Sequence, residues 1–245
     1  MLRALHAPLV LSALAAAGCE SGGCPRVDPP RATEEQRVLL DPASPEFDAV
    51  PPDTFLVQLE TTSGEILIEV IREWAPLGAA RFYNLVRHGF YDGSAFFRVL
   101  PGFMAQFGVH AVPEVQAKWN DRAISDDPVR QSNRRGTVTF ATAGPDTRST
   151  QLFINYGDNS RLDGLGFAPI GRVVRGMAVA DRFFSDYGET APTGQGPEFP
   201  CMLTGGRAYL ERRFPRLDGI VKATLVAVAT QAIVDVSYGP QVLAR

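Results

Sequence analysis

Between Thr54 and Ile71 apolar side chains recur at every second position, Phe55, Val57 and Leu59, then Ile66, Ile68 and Val70, on either side of Ser63-Gly64. A period of two turns one face of an extended chain toward a core and the other toward water, so residues 54–61 and 65–71 predict a β-hairpin. Further strand signals follow at 95–100, 103–107, 137–142, 151–155 and 170–174, separated by Gly, Pro and Asp turns, and segments 221–229 and 233–236 return as closing strands.

Helical periodicity is scarcer. Residues 75–88 carry a stripe of Ala79, Phe82, Tyr83, Leu85 and Val86, with Gly89 as a stop, and a second helix fits 177–185, while 207–213 holds one or two turns. Many short strands with two helices predict a mainly β fold, a closed antiparallel barrel capped at its ends by two α-helices. The Gly-rich pieces GLGFAPIG and GQGPE do not lie between a strand and a helix N-terminus, which argues against a nucleotide site.

One strand carries an unusual residue. In FFRVLPGFMAQFG, residues 96–108, the alternation places Phe96, Arg98 and Leu100 on one face and Phe97 and Val99 on the other, before Pro101-Gly102 turns the chain toward Phe103, Met104 and Gln106. A cation, an amide and apolar surface thus recur within one hairpin. Taken alone, Arg98 is most simply a solvent-facing arginine with its stem laid over apolar neighbours. Two later segments change that reading: FATAGPDTRSTQLFINY, residues 140–156, and RLDGLGFAPIGRVVRGM, residues 161–177.

Together the three segments resemble the cyclophilin family of peptidyl-prolyl isomerases, and the resemblance extends over roughly residues 54–236. It implies an eight-stranded barrel, an enzyme that rotates X-Pro peptide bonds, and no cofactor or metal. It also implies a site. Arg98 and Gln106 would be catalytic, and the proline ring would rest on Phe103, Met104, Phe153 and Leu162 with Phe167 near the rim. Thr142, flanked by Ala141 and Ala143, matches the family's backbone clamp, and Gln151 matches a position that braces the arginine.

The chain also departs from the pattern. Phe97 stands where most cyclophilins have histidine, Phe107-Gly108-Val109 replaces Gly-Gly-Asp, and Arg161 replaces a rim tryptophan common in eukaryotic members. Loss of that indole implies weak binding of cyclosporin with activity retained.

Side-chain inventory points the same way. Of three histidines, His6 falls in the N-terminal apolar segment, His88 sits at a predicted helix end and His110 reads as a surface loop residue, so a histidine triad or metal cluster is hard to assemble. Prolyl isomerisation needs neither, because it is rotation about an amide with a barrier of about 18–20 kcal/mol.

At the N-terminus, Arg3 precedes an apolar run that ends in Ala16-Ala17-Gly18-Cys19, too short to span a bilayer and similar to the lipobox of bacterial lipoproteins. The expected organisation is a signal peptide over 1–18 with Cys19 the lipid attachment, a tether over 19–52 containing seven prolines, whose short apolar patch VLLDP, Val38 to Pro42, is of the kind that docks locally on the domain it leads to, and an isomerase domain over 53–245. The alternative is an ordinary secreted protein cut nearby. Cleavage removes Arg3 and no acid, leaving 23 cationic against 27 acidic residues, a net charge of −4 that offers nothing to nucleic acid.

The remaining Cys24 and Cys201 are either a disulfide of an oxidising compartment or two free thiols. The implied partners are proline-containing peptides and unfolded envelope proteins, met by a monomer that touches the membrane through its lipid alone. A non-catalytic proline-peptide binding module is the rival reading, and a carbohydrate-binding barrel a distant third.

Overall fold

The computed structural model describes residues 23–226. The signal peptide, Cys19 and the expected strand at 233–236 lie outside them, as do residues 227–229.

Eight strands form one antiparallel sheet: β1 (Thr54–Thr61), β2 (Gly64–Ile71), β3 (Arg98–Leu100), β4 (Met104–Phe107), β5 (Thr137–Phe140), β6 (Leu152–Asn155), β7 (Pro169–Arg175) and β8 (Ile220–Val226). Their order is β3-β4-β6-β5-β7-β2-β1-β8. The predicted hairpin forms in the register that pairs Val57 with Ile68 and Leu59 with Ile66, and these four side chains are wholly buried. Each such burial is worth about 1.5–3 kcal/mol, so a one-residue slip, which would turn all four to water, is strongly disfavoured.

The sheet curls into an open half-barrel, not the closed barrel expected. Its end strands β3 and β8 do not pair; the chain ahead of β3 meets the start of β8, through an Ala95–Gly219 bridge, Ile220 N–H donating to the Ser94 carbonyl and Phe96 N–H donating to the Asp218 carbonyl. The reason is local. Extended structure begins at Arg98, because Phe96 and Phe97 break the alternation: Phe96 joins the main core with Phe107 and Phe183, while Phe97 enters a separate cluster with Cys201, Met202 and Tyr209. A three-residue β3 has too few backbone groups left to zip onto β8.

Among the described residues four α-helices stand where two were expected: α1 (Pro76–Arg87), α2 (Pro113–Trp119), α3 (Met177–Ala180) and α4 (Phe199–Arg213). α1 packs Ala79, Phe82, Leu85 and Val86 onto the sheet. Ala75 offers its N-terminus no side-chain cap; the buried Asp127 does, accepting from Leu77 N–H at 3.0 Å and Gly78 N–H at 2.9 Å while paired with the buried Arg148. The second expected helix stops after one turn as α3. α4 is larger than its sequence suggested, and it is interrupted at Gly206, whose φ of 53° suits glycine and breaks the helical ladder.

The Pro-rich stretch read as a tether is docked wherever it is described. Leu39 is fully buried in the main core, and its carbonyl accepts from Trp119 Nε1–H at 2.8 Å. Phe47 packs edge-on against Trp119 and His88, and Asn84 Nδ2–H donates to the Ala49 carbonyl. Cys24 is disulfide-bonded to Cys201 at the start of α4, which decides between the two readings of those cysteines. The apolar patch at Val38–Pro42 docks as expected; composition misses the other anchors because they are single residues spaced along a chain whose average is polar.

His110, expected at the surface, is buried against Phe90; its Nδ1 accepts from Val112 N–H at 2.9 Å and its Nε2 has no partner. Burial holds its pKa down, from 6.5 to about 4. The unfolded chain therefore takes up a proton near pH 6.5 that the native state refuses until about pH 4, so this stabilisation is present above that window and lost as pH falls through it. We expect urea melts at pH 7 and pH 4.5 to differ by up to about 3 kcal/mol more in the native sequence than in His110→Gln; equal acid losses would rule out the contribution.

The disulfide links residues 177 apart, and closing so long a loop in the unfolded chain is worth up to about 5 kcal/mol in the chain-entropy description. Reductant, or the Cys24→Ser/Cys201→Ser pair, is expected to lower Tm clearly. An unchanged Tm would show that the other contacts of residues 23–52 suffice.

Candidate functional site

The outward face of β3, β4 and β6 carries the site. Arg98 and Gln106 are cross-strand partners in the β3–β4 hairpin, and Gln106 in turn pairs with Phe153 of β6. Alternation sends Val99, Ala105, Phe107, Leu152 and Ile154 into the core, leaving Arg98, Met104, Gln106 and Phe153 together on the other side.

Those residues divide into an apolar floor and a polar wall. Met104, Phe153 and Leu162 form a small buried cluster of their own, flanked by Leu100, Phe103, Ala141 and Phe167, with Phe153 and Phe167 edge-to-face at 5.9 Å. Leu162 reaches the floor from a 3₁₀ turn, Ser160–Leu165. That turn is tied down by Asn159, whose Nδ2 donates to the Phe103 carbonyl at 2.8 Å and to Asn155 Oδ1 at 2.7 Å, and by Asp163, which accepts from the backbone and side chain of Asn133.

The polar wall is a relay of hydrogen bonds. Arg98 Nη1–H donates to Gln106 Oε1 at 3.1 Å, and Gln106 Nε2–H donates to Gln151 Oε1 at 2.9 Å. Gln151 was expected to brace the arginine; it does so only through Gln106, because Gln106 stands between them.

Arg98 has a second partner that sequence reading missed. Glu189 accepts from Arg98 Nε–H at 2.5 Å and Nη2–H at 2.6 Å, a bidentate pair with about a quarter of the Arg98 side chain exposed. The hydrogen bonds from Arg98 hold the Glu189 carboxyl below its ordinary pKa. No spacing rule links two residues 91 apart, and Glu189 sits in a Gly-, Pro- and Thr-rich loop that reads only as connection.

Beside the wall, a recess of about 320 Å³ is lined by Ala141, Thr142, Ala143, Thr147, Gln151 and Glu189, among others. Its rim is self-bonded: Ala143 N–H donates to Thr147 Oγ1 at 2.9 Å, Thr142 Oγ1 bonds the Gly144 carbonyl, and Ala141 N–H donates to the Gln151 carbonyl. All eleven residues expected at the site therefore fall in the floor, the wall or this rim.

The departures acquire reasons. Phe97 is buried in the cluster that α4 lays over the sheet, where an imidazole would be cut off from water. Arg161 places its guanidinium 4.7 Å from the Phe103 ring centre, and Arg98 lies 5.8 Å from the same ring, so Phe103 is bracketed by two cations.

The outward face thus sets an apolar floor beside a cationic donor and an amide. The family model described as "Cyclophilin type peptidyl-prolyl cis-trans isomerase/CLD" matches residues 56–196. Peptidyl-prolyl cis-trans isomerase A of Dickeya dadantii is 37% identical over 170 residues, covering 67% of this chain and 88% of that protein. A peptidyl-prolyl cis-trans isomerase of Acinetobacter baylyi is 35% identical over 133 residues, 52% of this chain and 70% of that one. A cyclophilin-type isomerase of Cryptosporidium parvum shares the fold, with a TM-score of 0.52 at 18% identity over 71% of this chain and 98% of its own.

The chain belongs to the cyclophilin-type peptidyl-prolyl cis-trans isomerases, enzymes that interconvert the cis and trans forms of X-Pro bonds. Both elements joined by the disulfide, the segment around Cys24 and α4, lie outside the matched residues.

Proposed function

We propose that this isomerase works through Arg98 and Gln106 on proline peptides seated across the Met104–Phe153–Leu162 floor, and that its clients are envelope proteins met at a lipid-anchored site. The observation that carries the first part is the Arg98–Gln106–Gln151 relay standing directly beside that floor.

In the twisted transition state the amide loses resonance, its oxygen carries less negative charge and the proline nitrogen regains a lone pair. The proline ring rests on Phe103, Met104, Phe153 and Leu162, with Phe167 at the rim, where apolar surroundings favour that less polar state. Arg98 donates to the nitrogen lone pair, a charge-assisted bond worth about 1.5–3 kcal/mol. At about 1.4 kcal/mol per factor of ten this supplies only one to two powers of ten, so desolvation and the held geometry contribute the rest. Gln106 keeps one N–H beyond the one given to Gln151, available to a substrate carbonyl, and Ala141, Thr142 and Ala143 line the path of the residues beside the proline.

The anchoring follows from Cys19 after a short apolar segment, and the disulfide between Cys24 and Cys201 suits an oxidising compartment. In this reading Arg161 in place of an indole weakens cyclosporin binding. Cys19→Ser is expected to move the protein from a detergent-partitioning membrane fraction to the soluble one when expressed with its own leader in a bacterium; retention in the membrane would refute lipidation at that cysteine.

For catalysis, Arg98→Ala should lower the rate of a proline-limited peptide assay by about ten- to a hundredfold with circular dichroism unchanged. Equal rates would sink the assignment to Arg98, whereas saturable peptide binding by the native protein without enhancement of cis–trans exchange would favour the non-catalytic docking module instead.

A further inference from the structure

Arg98 does not face its substrate as a loose cation. Glu189 Oε2 accepts from its Nη2, and Oε1 accepts from its Nε as well as from Thr190 N–H at 2.9 Å and Thr190 Oγ1–H at 3.1 Å. The carboxylate is thus held by its own neighbour while it grips the guanidinium. Of the five N–H groups on Arg98, two go to Glu189 and one to Gln106, which leaves one on each terminal nitrogen.

The loop presenting Glu189 is built to hold it still. Gly196 N–H donates to the Glu189 carbonyl at 2.8 Å, and a Cβ at Gly194 would come within 2.2 Å of that oxygen, so this close approach requires glycine. The loop's flanks are fastened to α4. Tyr187 packs between Phe184 and Phe214, and Glu198 N–H donates to the Tyr209 hydroxyl at 3.1 Å, three residues before the Cys201 disulfide.

We propose that Glu189 is a positioning residue for isomerisation, locking the Arg98 fork in one orientation so that its two remaining N–H groups are presented to the X-Pro bond. This rests on Arg98 being the donor to the substrate. A planar fork gripped on its Nε edge cannot rotate about its last bond, and lost orientation is lost rate even where binding survives. Glu189 makes no hydrogen bond to Gln106 and supplies no surface to the floor cluster, so its effect passes through Arg98.

The test is a steady-state peptide assay on the full chain with Glu189→Ala, Glu189→Gln, Arg98→Ala and the Arg98→Ala/Glu189→Ala double variant. It is paired with NMR of the arginine Nε–H resonances. Glu189→Ala is expected to lower kcat about tenfold with KM little changed, and Glu189→Gln, which keeps one acceptor, to fall between. The Arg98 Nε–H signal, slowly exchanging in the native protein, should vanish in Glu189→Ala. Because the effect passes through Arg98, removing Glu189 in the Arg98→Ala background should change nothing further.

A kcat unchanged or raised by Glu189→Ala, or losses that multiply in the double variant, would overturn the positioning role. A fully active Arg98→Ala would overturn the donor role of Arg98 and this proposal with it; an inactive Arg98→Ala beside unaffected Glu189 variants would overturn this proposal alone.

Discussion

The strict division of the curled sheet into two faces is the constraint on which the site depends. Because successive side chains point opposite ways, the register that buries Val99, Ala105 and Phe107 also puts Arg98 opposite Gln106 and Gln106 opposite Phe153 on the outside. Stability and function are therefore set by one choice. The core, far larger than the site, selects the register, and the site inherits its geometry from it.

Two arginines show how differently one side chain is used in this fold. Arg148 is almost wholly buried, paired with Asp127, which at the same time caps α1; removing either partner would strand a charge away from water. Arg98 is partly exposed, paired with Glu189 and Gln106, and keeps donors in reserve. The first pair is a fixed joint between a helix and a loop. The second leaves a cation oriented yet reachable, which is what a substrate-facing donor requires.

α4 and the stretch before β1, both outside the residues the family model matches, are connected to one another and to the site. The disulfide joins them, Phe97 fills the cluster beneath α4, and the loop carrying Glu189 is fastened to α4 through Tyr187 and Glu198. Phe97, a departure when seen in sequence, is the apolar contact this added layer needs.

Local pattern carried most of the strands and α1, and the family resemblance of the motifs around Arg98 carried the floor and wall residues, because alternation and motifs are short-range properties of the chain. It failed where single long-range contacts decide the outcome. Outside the apolar patch at Val38–Pro42, composition marks the Pro-rich stretch as free, yet Phe47 also docks it; His110 looks like a surface loop residue, yet Phe90 covers it. By itself the sequence determined the class of fold and the isomerase activity, and it named the residues that the structure gathers on the outward face of the sheet. Only the tertiary structure decided that the sheet stays open at β3 and β8, that Cys24 meets Cys201, and that Glu189 grips Arg98. Those depend on distances between segments 91 and 177 residues apart, which chain periodicity does not encode and packing alone settles.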